Sequence, residues 1–272
     1  RRWSGSWPGG GWTDCHRSDL LPGTPRSRAS GAGHAEVSVS SHLYDRIGTD
    51  YARGRRPDPR WMAHISGAVG HGTVVDVGAG TGSYEPEGST VLAVEPSRRM
   101  LAQRIGPVPA VQAVAEHLPL RERAADVALA VLTVHHWSDW RRGLAELRRT
   151  SRRQVVLAYE TDLHAEFWLT REYVPEVAQL ETARPSATEI ADELGADAVT
   201  VLPVPWDFAD GVFPAHWRRP EAYLDAGVRR NCSALAQTDP TAVSRGIERL
   251  RGDLESGRWH ERHSDLLSRD EL

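Results

Sequence analysis

Residues 74–97 read VVDVGAGTGSYEPEGSTVLAVEPS. A short apolar run, Val74–Val77, leads into Asp76, Gly78, Gly80 and Gly82 in the pattern D-x-G-x-G-x-G. A β-branched run apolar on both faces predicts a strand inside a parallel sheet. Glycines at its carboxyl end let the backbone turn sharply and lie against a ligand with no Cβ in the way. A helix normally follows such a turn, but here Pro86 and Gly88 interrupt the next residues and leave room for about one turn of it. A dinucleotide site spaces its glycines G-x-G-x-x-G and seats a pyrophosphate on the amino end of that helix. Here the third glycine comes one residue early, little helix dipole is on offer, and Glu85 and Glu87 add repulsion. The stretch therefore suits a ligand with a ribose but no phosphate. Glu95, closing the run Thr90–Glu95, can accept hydrogen bonds from both hydroxyls of that ribose. S-adenosylmethionine has this make-up, and its sulfonium cation tolerates acidic neighbours.

The surrounding text supplies a frame for the loop. Trp61–Val69 has helical spacing and stops at Gly70. Pro96 and Ser97 open a helix through Met100, and Ala110–Val114 is a short apolar run. Ala125–Val134 is a long one, Trp140–Arg149 is an amphipathic helix, and Gln154–Tyr159 is a fifth apolar strand. Buried strands alternating with helices predict a Rossmann-like three-layer α/β sandwich on a mostly parallel seven-stranded sheet. Ala165–Leu180, Ala187–Leu194, Pro220–Arg230 and Thr241–Ser256 read as helices, and Ala198–Val204 as a late strand. The domain is expected to span residues 42–272, with helical and aromatic substrate-side additions from about residue 162.

Composition narrows the function classes. A net charge of −4 gives nothing for a polyanion to bind. All 33 basic residues are arginine, which we read as coding bias. Cys15 and Cys232 are too few for a disulfide framework or a thiolate metal site, so no metal is expected. No apolar run reaches the roughly 20 residues that span a bilayer, and the amino terminus lacks a signal-peptide layout. Residues 1–41, rich in Gly, Ser, Pro and Arg, read as a disordered or non-native extension. The expectation is a cytoplasmic protein with a small-molecule partner, and with neither nucleic acid nor membrane.

Four segments in order carry a family resemblance: VVDVGAGTG, AVEPSRRM, AEHLPL (Ala115–Leu120) and LTVHHWSDW (Leu132–Trp140). They resemble the class I S-adenosylmethionine-dependent methyltransferases, most of all the small-molecule branch that includes ubiquinone/menaquinone biosynthesis enzymes. The upstream YDRIGTDYARGRRPDPR (Tyr44–Arg60) resembles that branch's amino-terminal cap. The resemblance implies that Asp76 and the backbone of Gly78, Ala79, Gly80 and Gly82 hold the methionine moiety. It places Glu95 on the ribose, and Pro96, Met100, Ala115, Glu116 and Leu118 around the adenine. Leu132 joins the cofactor wall, Tyr51 closes over it, and Arg55 or Arg56 pairs with its carboxylate. Two positions depart from the family pattern: Val114 stands where an acid usually precedes Ala-Glu, and the helix after the glycines is short.

Methyl transfer from a sulfonium needs positioning and desolvation above all, and a base only where the acceptor must lose a proton. His135 and His136 follow the fourth strand, at the rim where acceptor and cofactor meet, and His136 is the candidate catalytic residue. Its alternative is a wall or capping role. Trp137, Trp168, Tyr173, Trp206, Phe213 and Trp217 either roof an apolar acceptor pocket or pack a core. His260 and His263 are expected in an exposed tail. The competing readings are a non-catalytic cofactor-binding protein, a nicotinamide-dependent oxidoreductase and an RNA methyltransferase.

Overall fold

Strand β1 (Val74–Val77) is buried along its whole length and lies between two parallel neighbours. The computed structural model describes residues 54–272. The extension at residues 1–41, Cys15, Tyr51 and the first part of the cap-like segment lie outside the described residues. Beside β1 run β2 (Thr90–Val94) and β4 (Ala125–Val131); β3 (Ala110–Val111) and β5 (Ser151–Leu157) form the edges. The order is β3-β2-β1-β4-β5, with every pairing parallel. The expected Rossmann-like α/β fold is present, but with five strands among the described residues rather than seven.

Period-two side chains divide the core between the two faces of the sheet. Val74, Val127 and Leu129 point to one face, and Val75, Val77, Ala128 and Ala130 to the other. The first face is covered by α1 (Pro59–Val69), which Asp58 caps by accepting from the Arg60 amide, and by most of the chain after residue 160. The short α2 (Arg98–Ala102) follows β2, its amino end capped by Ser97. The second face is covered by α3 (Trp140–Thr150), capped by Asp139, and by Ile190. Between β1 and β2 the chain runs entirely through turns, so the glycine loop has less helix behind it than even one turn.

Beyond β5 the helices are short: α4 (Thr161–Glu166), α5 (Glu176–Glu181), α6 (Ala187–Leu194), α7 (Ala226–Asn231) and α8 (Ser233–Gln237). The long α9 (Pro240–Glu255) and α10 (Arg258–Arg262) close the chain. The expected helix at Ala165–Leu180 is broken by an extended Phe167, a π-turn at Leu169–Tyr173 and Pro175. Pro220–Arg230 is likewise split, into a 3₁₀ turn (Pro220–Leu224) and α7.

The late strand expected at Ala198–Val204 does not form. Its apolar alternation points Val199 and Val201 into solvent, and its carbonyls are claimed elsewhere. The indole of Trp61 donates to the Pro203 carbonyl and that of Trp217 to the Val204 carbonyl, both at 2.9 Å. The Val204 backbone pairs with Leu272 instead of joining the sheet. Among the described residues no helix is long and apolar enough to cross a membrane.

Candidate active site

The order of strands reverses between β1 and β4, and a cleft opens at the carboxyl ends of β1, β2 and β4. Its lining includes Arg55, Asp76, Gly78, Ala79, Gly80, Glu95, Pro96, Met100, Ala115, Glu116, Leu132 and His136. Twelve of the residues expected at the site are thus brought together; Tyr51 lies outside the described residues, and Gly82 is not part of the lining.

The turn is held by its own backbone. The Gly78 and Ala79 amides donate to the Val94 carbonyl at 2.8 and 3.1 Å, and Gly82 donates to Ala79 at 2.9 Å. Gly78 has φ 74°, and a Cβ there would lie 2.0 Å from Thr133 Oγ1, so only glycine lets β1 and the end of β4 close up. Gly82 makes room for an ion pair: its missing Cβ would stand 3.3 Å from Arg104 Nη1 and Glu85 Oε2. That pair, at 2.5 Å, corrects the expectation that Glu85 presents bare negative charge. Arg104 also donates to the Gly80 carbonyl at 3.3 Å. Nineteen positions separate the two partners, and neither residue announces the other in the sequence.

Glu95 ties the turn to α2. Its Oε2 accepts from the Gly80 amide and its Oε1 from the Ser97 amide, each at 2.9 Å. The carboxylate is buried and fixed at the end of β2. Asp76 is buried beneath the same turn. Burial pushes its pKa well above the usual carboxylate range, Glu85 and Glu95 push it the same way, and Arg104 opposes them. A cation placed in the cleft would relieve that penalty.

Glu116 lines the cleft, but its carboxylate is engaged elsewhere. Oε1 accepts from the Ser138 amide and hydroxyl at 2.8 Å and from the Asp139 amide at 3.1 Å, fastening the entry to α3. Leu118 is core rather than lining. Val114 lines the cleft as an apolar residue where the family pattern has an acid. Of the two candidate arginines, Arg55 faces the cleft and Arg56 is exposed. Arg55 forms a two-pronged pair with Asp210, Nε to Oδ1 at 2.5 Å and Nη2 to Oδ2 at 3.0 Å.

His136 sits on the 3₁₀ turn Val134–His136 that follows β4. Burial, reinforced by Arg184 and Arg55, pushes its imidazole down to about 3, so it is neutral at physiological pH. His135 is pushed in the same direction by burial and by its neighbour His136. The two rings pack 3.9 Å apart; His135 also meets Tyr159 at 4.8 Å, and Tyr159 stacks on His164 at 3.9 Å. Arg184 Nη1 donates to the Tyr159 hydroxyl at 3.1 Å and to Glu181 at 3.0 Å.

Trp137 lines the cleft, with its indole donating to Thr133 Oγ1 at 3.3 Å. The other candidate roof residues do not: Trp168, Tyr173, Phe213 and Trp217 are buried core, and Trp206 is partly exposed under Arg218. The expectation of an exposed histidine tail is half right. His260 is exposed, whereas His263 is buried against Trp259 and Trp168 and bonds Glu172 at 3.2 Å. No group of residues that could hold a metal ion occurs among the described residues. Sequence reading passed over Thr81, Ser83, Tyr84, Val131 and Thr133 as lining. Their position next to the ends of β1 and β4 was the available signal.

Residues 75–159 match the family model described as "Methyltransferase domain". No curated protein sequence matches the chain. Among solved structures, the chain is similar to one described as a methyltransferase from an antibiotic biosynthesis pathway of Anabaena variabilis ATCC 29413. The two share 28% identity at a TM-score of 0.74, over 80% of this chain and 95% of that one. A second similar structure, described as an S-adenosylmethionine-dependent methyltransferase from Thermotoga maritima, shares 25% identity at a TM-score of 0.47, over 57% of this chain and 79% of that one. Residues 75–159 are thus similar to a methyltransferase domain, and S-adenosylmethionine is the cofactor that this similarity implies.

Proposed function

We propose that this chain is an enzyme that passes the methyl group of S-adenosylmethionine to a small organic acceptor by in-line displacement. Glu95 carries the reading: a buried carboxylate locked onto the Gly80 and Ser97 amides, at the end of β2, is built to grip vicinal hydroxyls. Asp76, whose buried carboxyl lacks a facing cation of its own apart from the Arg104 already paired with Glu85, matches the positive charge of the methionine moiety. Arg55 would meet the carboxylate, Pro96, Met100, Val114 and Ala115 would line the adenine, and Leu132 would complete the wall. Glu116 would contribute its backbone and position rather than its carboxylate.

Bound S-adenosylmethionine supplies a methyl group already activated on a sulfonium. The chain's part is to orient the acceptor and exclude water. His136 lines that end of the cleft and is held neutral. A base pushed down to about 3 removes a proton poorly, so His136 acts by accepting a hydrogen bond from the acceptor and fixing its direction. The acidic net charge and the resemblance to quinone-biosynthesis enzymes support a small, diffusible acceptor in the cytoplasm, with no nucleic acid or membrane partner. The antibiotic-pathway description of the Anabaena relative agrees with an acceptor of that size.

Titration calorimetry tests this directly. S-adenosylhomocysteine should bind and NAD and NADP should give no heat; the reverse would overturn the reading. Transfer of labelled methyl from S-adenosylmethionine to small molecules of a cell extract separates an enzyme from a protein that only binds the cofactor.

A further inference from the structure

Asp210 is a fully buried carboxylate that does not line the cleft, yet it bonds to two residues that do. Its two oxygens take Arg55 Nε and Nη2, and Oδ2 also accepts the Tyr84 hydroxyl at 3.1 Å. Buried Tyr84 stays protonated, its hydroxyl pushed up by burial and by Asp210 itself. A two-pronged guanidinium–carboxylate pair fixes the plane of the arginine as well as its place.

The backbone around Asp210 is pinned to the same segment. The Gly211 amide donates to the Gly54 carbonyl at 3.1 Å, and a Cβ at residue 211 would stand 2.4 Å from that oxygen. The Ala209 amide donates to Asp58 at 3.1 Å, and Asp207 pairs with Arg60 at 2.8 Å. Four of residues 207–211 thus bond to residues 54–60, across 155 positions of sequence between Arg55 and Asp210.

We propose that Asp210 is a positioning residue for the cofactor, holding the Arg55 guanidinium on the cleft wall in the orientation that meets the carboxylate of the methionine moiety. The inference rests on the cofactor reading above. A long flexible side chain already fixed by a buried partner loses little freedom when the ligand arrives, which strengthens binding through that one contact.

The test compares two ligands that share adenosine and sulfur. S-adenosylhomocysteine has the carboxylate and 5′-methylthioadenosine lacks it. Calorimetry on the full chain should show Asp210→Asn weakening S-adenosylhomocysteine about tenfold, while methylthioadenosine changes by less than about twofold. Tyr84→Phe, which removes the bond to Asp210 and one from the Asp58 amide but leaves the ion pair, should widen the ratio in the same direction by about twofold to threefold. Equal weakening of both ligands would show that Asp210 merely supports the fold, and no weakening of either would show that it does not act on Arg55; both overturn the inference. Should Asp210→Asn fail to fold, the Tyr84→Phe ratio decides alone, and an unchanged ratio overturns the inference. Wild-type protein that binds neither ligand overturns the cofactor reading itself and this inference with it.

Discussion

The glycine turn and the segment 207–211 serve one cleft by opposite means. The turn reaches it with its own backbone, through positive-φ glycines and amides bonded to Val94 and Glu95. The segment reaches it only through side chains that other parts of the chain present, Arg55 and Tyr84 above all. A backbone device demands particular residue types at fixed spacing, so it leaves a motif. A side-chain device needs only the right partner in space, and leaves none.

The comparison can be broken first at the packing of the second region. Trp217 is fully buried and bonds the Val204 carbonyl. Trp217→Ala should cost about 3–5 kcal/mol and shift the whole unfolding transition in denaturant, with one midpoint for both regions. Two separate transitions would mean that the aromatic half folds apart from the sheet. Gly78→Ala, at φ 74° and against Thr133, should cost about 3 kcal/mol, and adding Thr133→Ala should recover only the steric share. Full recovery would remove the backbone argument for that glycine.

Ligand binding sharpens the contrast at a finer level. Glu95→Ala should weaken S-adenosylhomocysteine at least tenfold, about 1.5–3 kcal/mol, by removing a charged partner from the ribose and loosening Gly80. An unchanged dissociation constant would falsify the ribose assignment.

Per pH unit, the smallest effect concerns protons. His136 titrates at about 3 in the fold against 6.5 unperturbed, so between those values the unfolded chain binds the extra proton. Its share of stability is complete above pH 6.5 and is lost as the pH falls toward 3. His136→Asn should flatten that acid slope by up to about 1.4 kcal/mol per pH unit, as read from denaturant midpoints at several pH values. The rate of methyl transfer should likewise show no limb near pH 6.5 that disappears in His136→Asn.

Legibility in the sequence follows the same division. The sheet from Val74 to Leu157, the absence of a helix after the glycines, and the cleft positions of Glu95, Pro96 and Met100 could be read because alternation and glycine spacing report backbone geometry. Ala198–Val204 misled because alternation states which residues are apolar and not which neighbour claims their carbonyls; two indoles and Leu272 claim them here. The Glu85–Arg104 pair, the use of the Glu116 carboxylate to fasten α3 and the burial of His263 all depend on directions fixed only when distant segments meet. Asp210 stood unremarked in an irregular, aromatic stretch for that reason.

Leu132 adds a lever of a different kind. It is one of two non-glycine residues with positive φ among the described residues, at 51°, and its side chain forms part of the cleft wall. A glycine there would sit in the same backbone conformation without strain, releasing on the order of 1 kcal/mol. It would also strip an apolar surface from the wall. Leu132 also packs against the main core cluster, so the apolar contact it would lose outweighs the strain relieved, and the left-handed turn is a cost the scaffold carries to keep that wall closed.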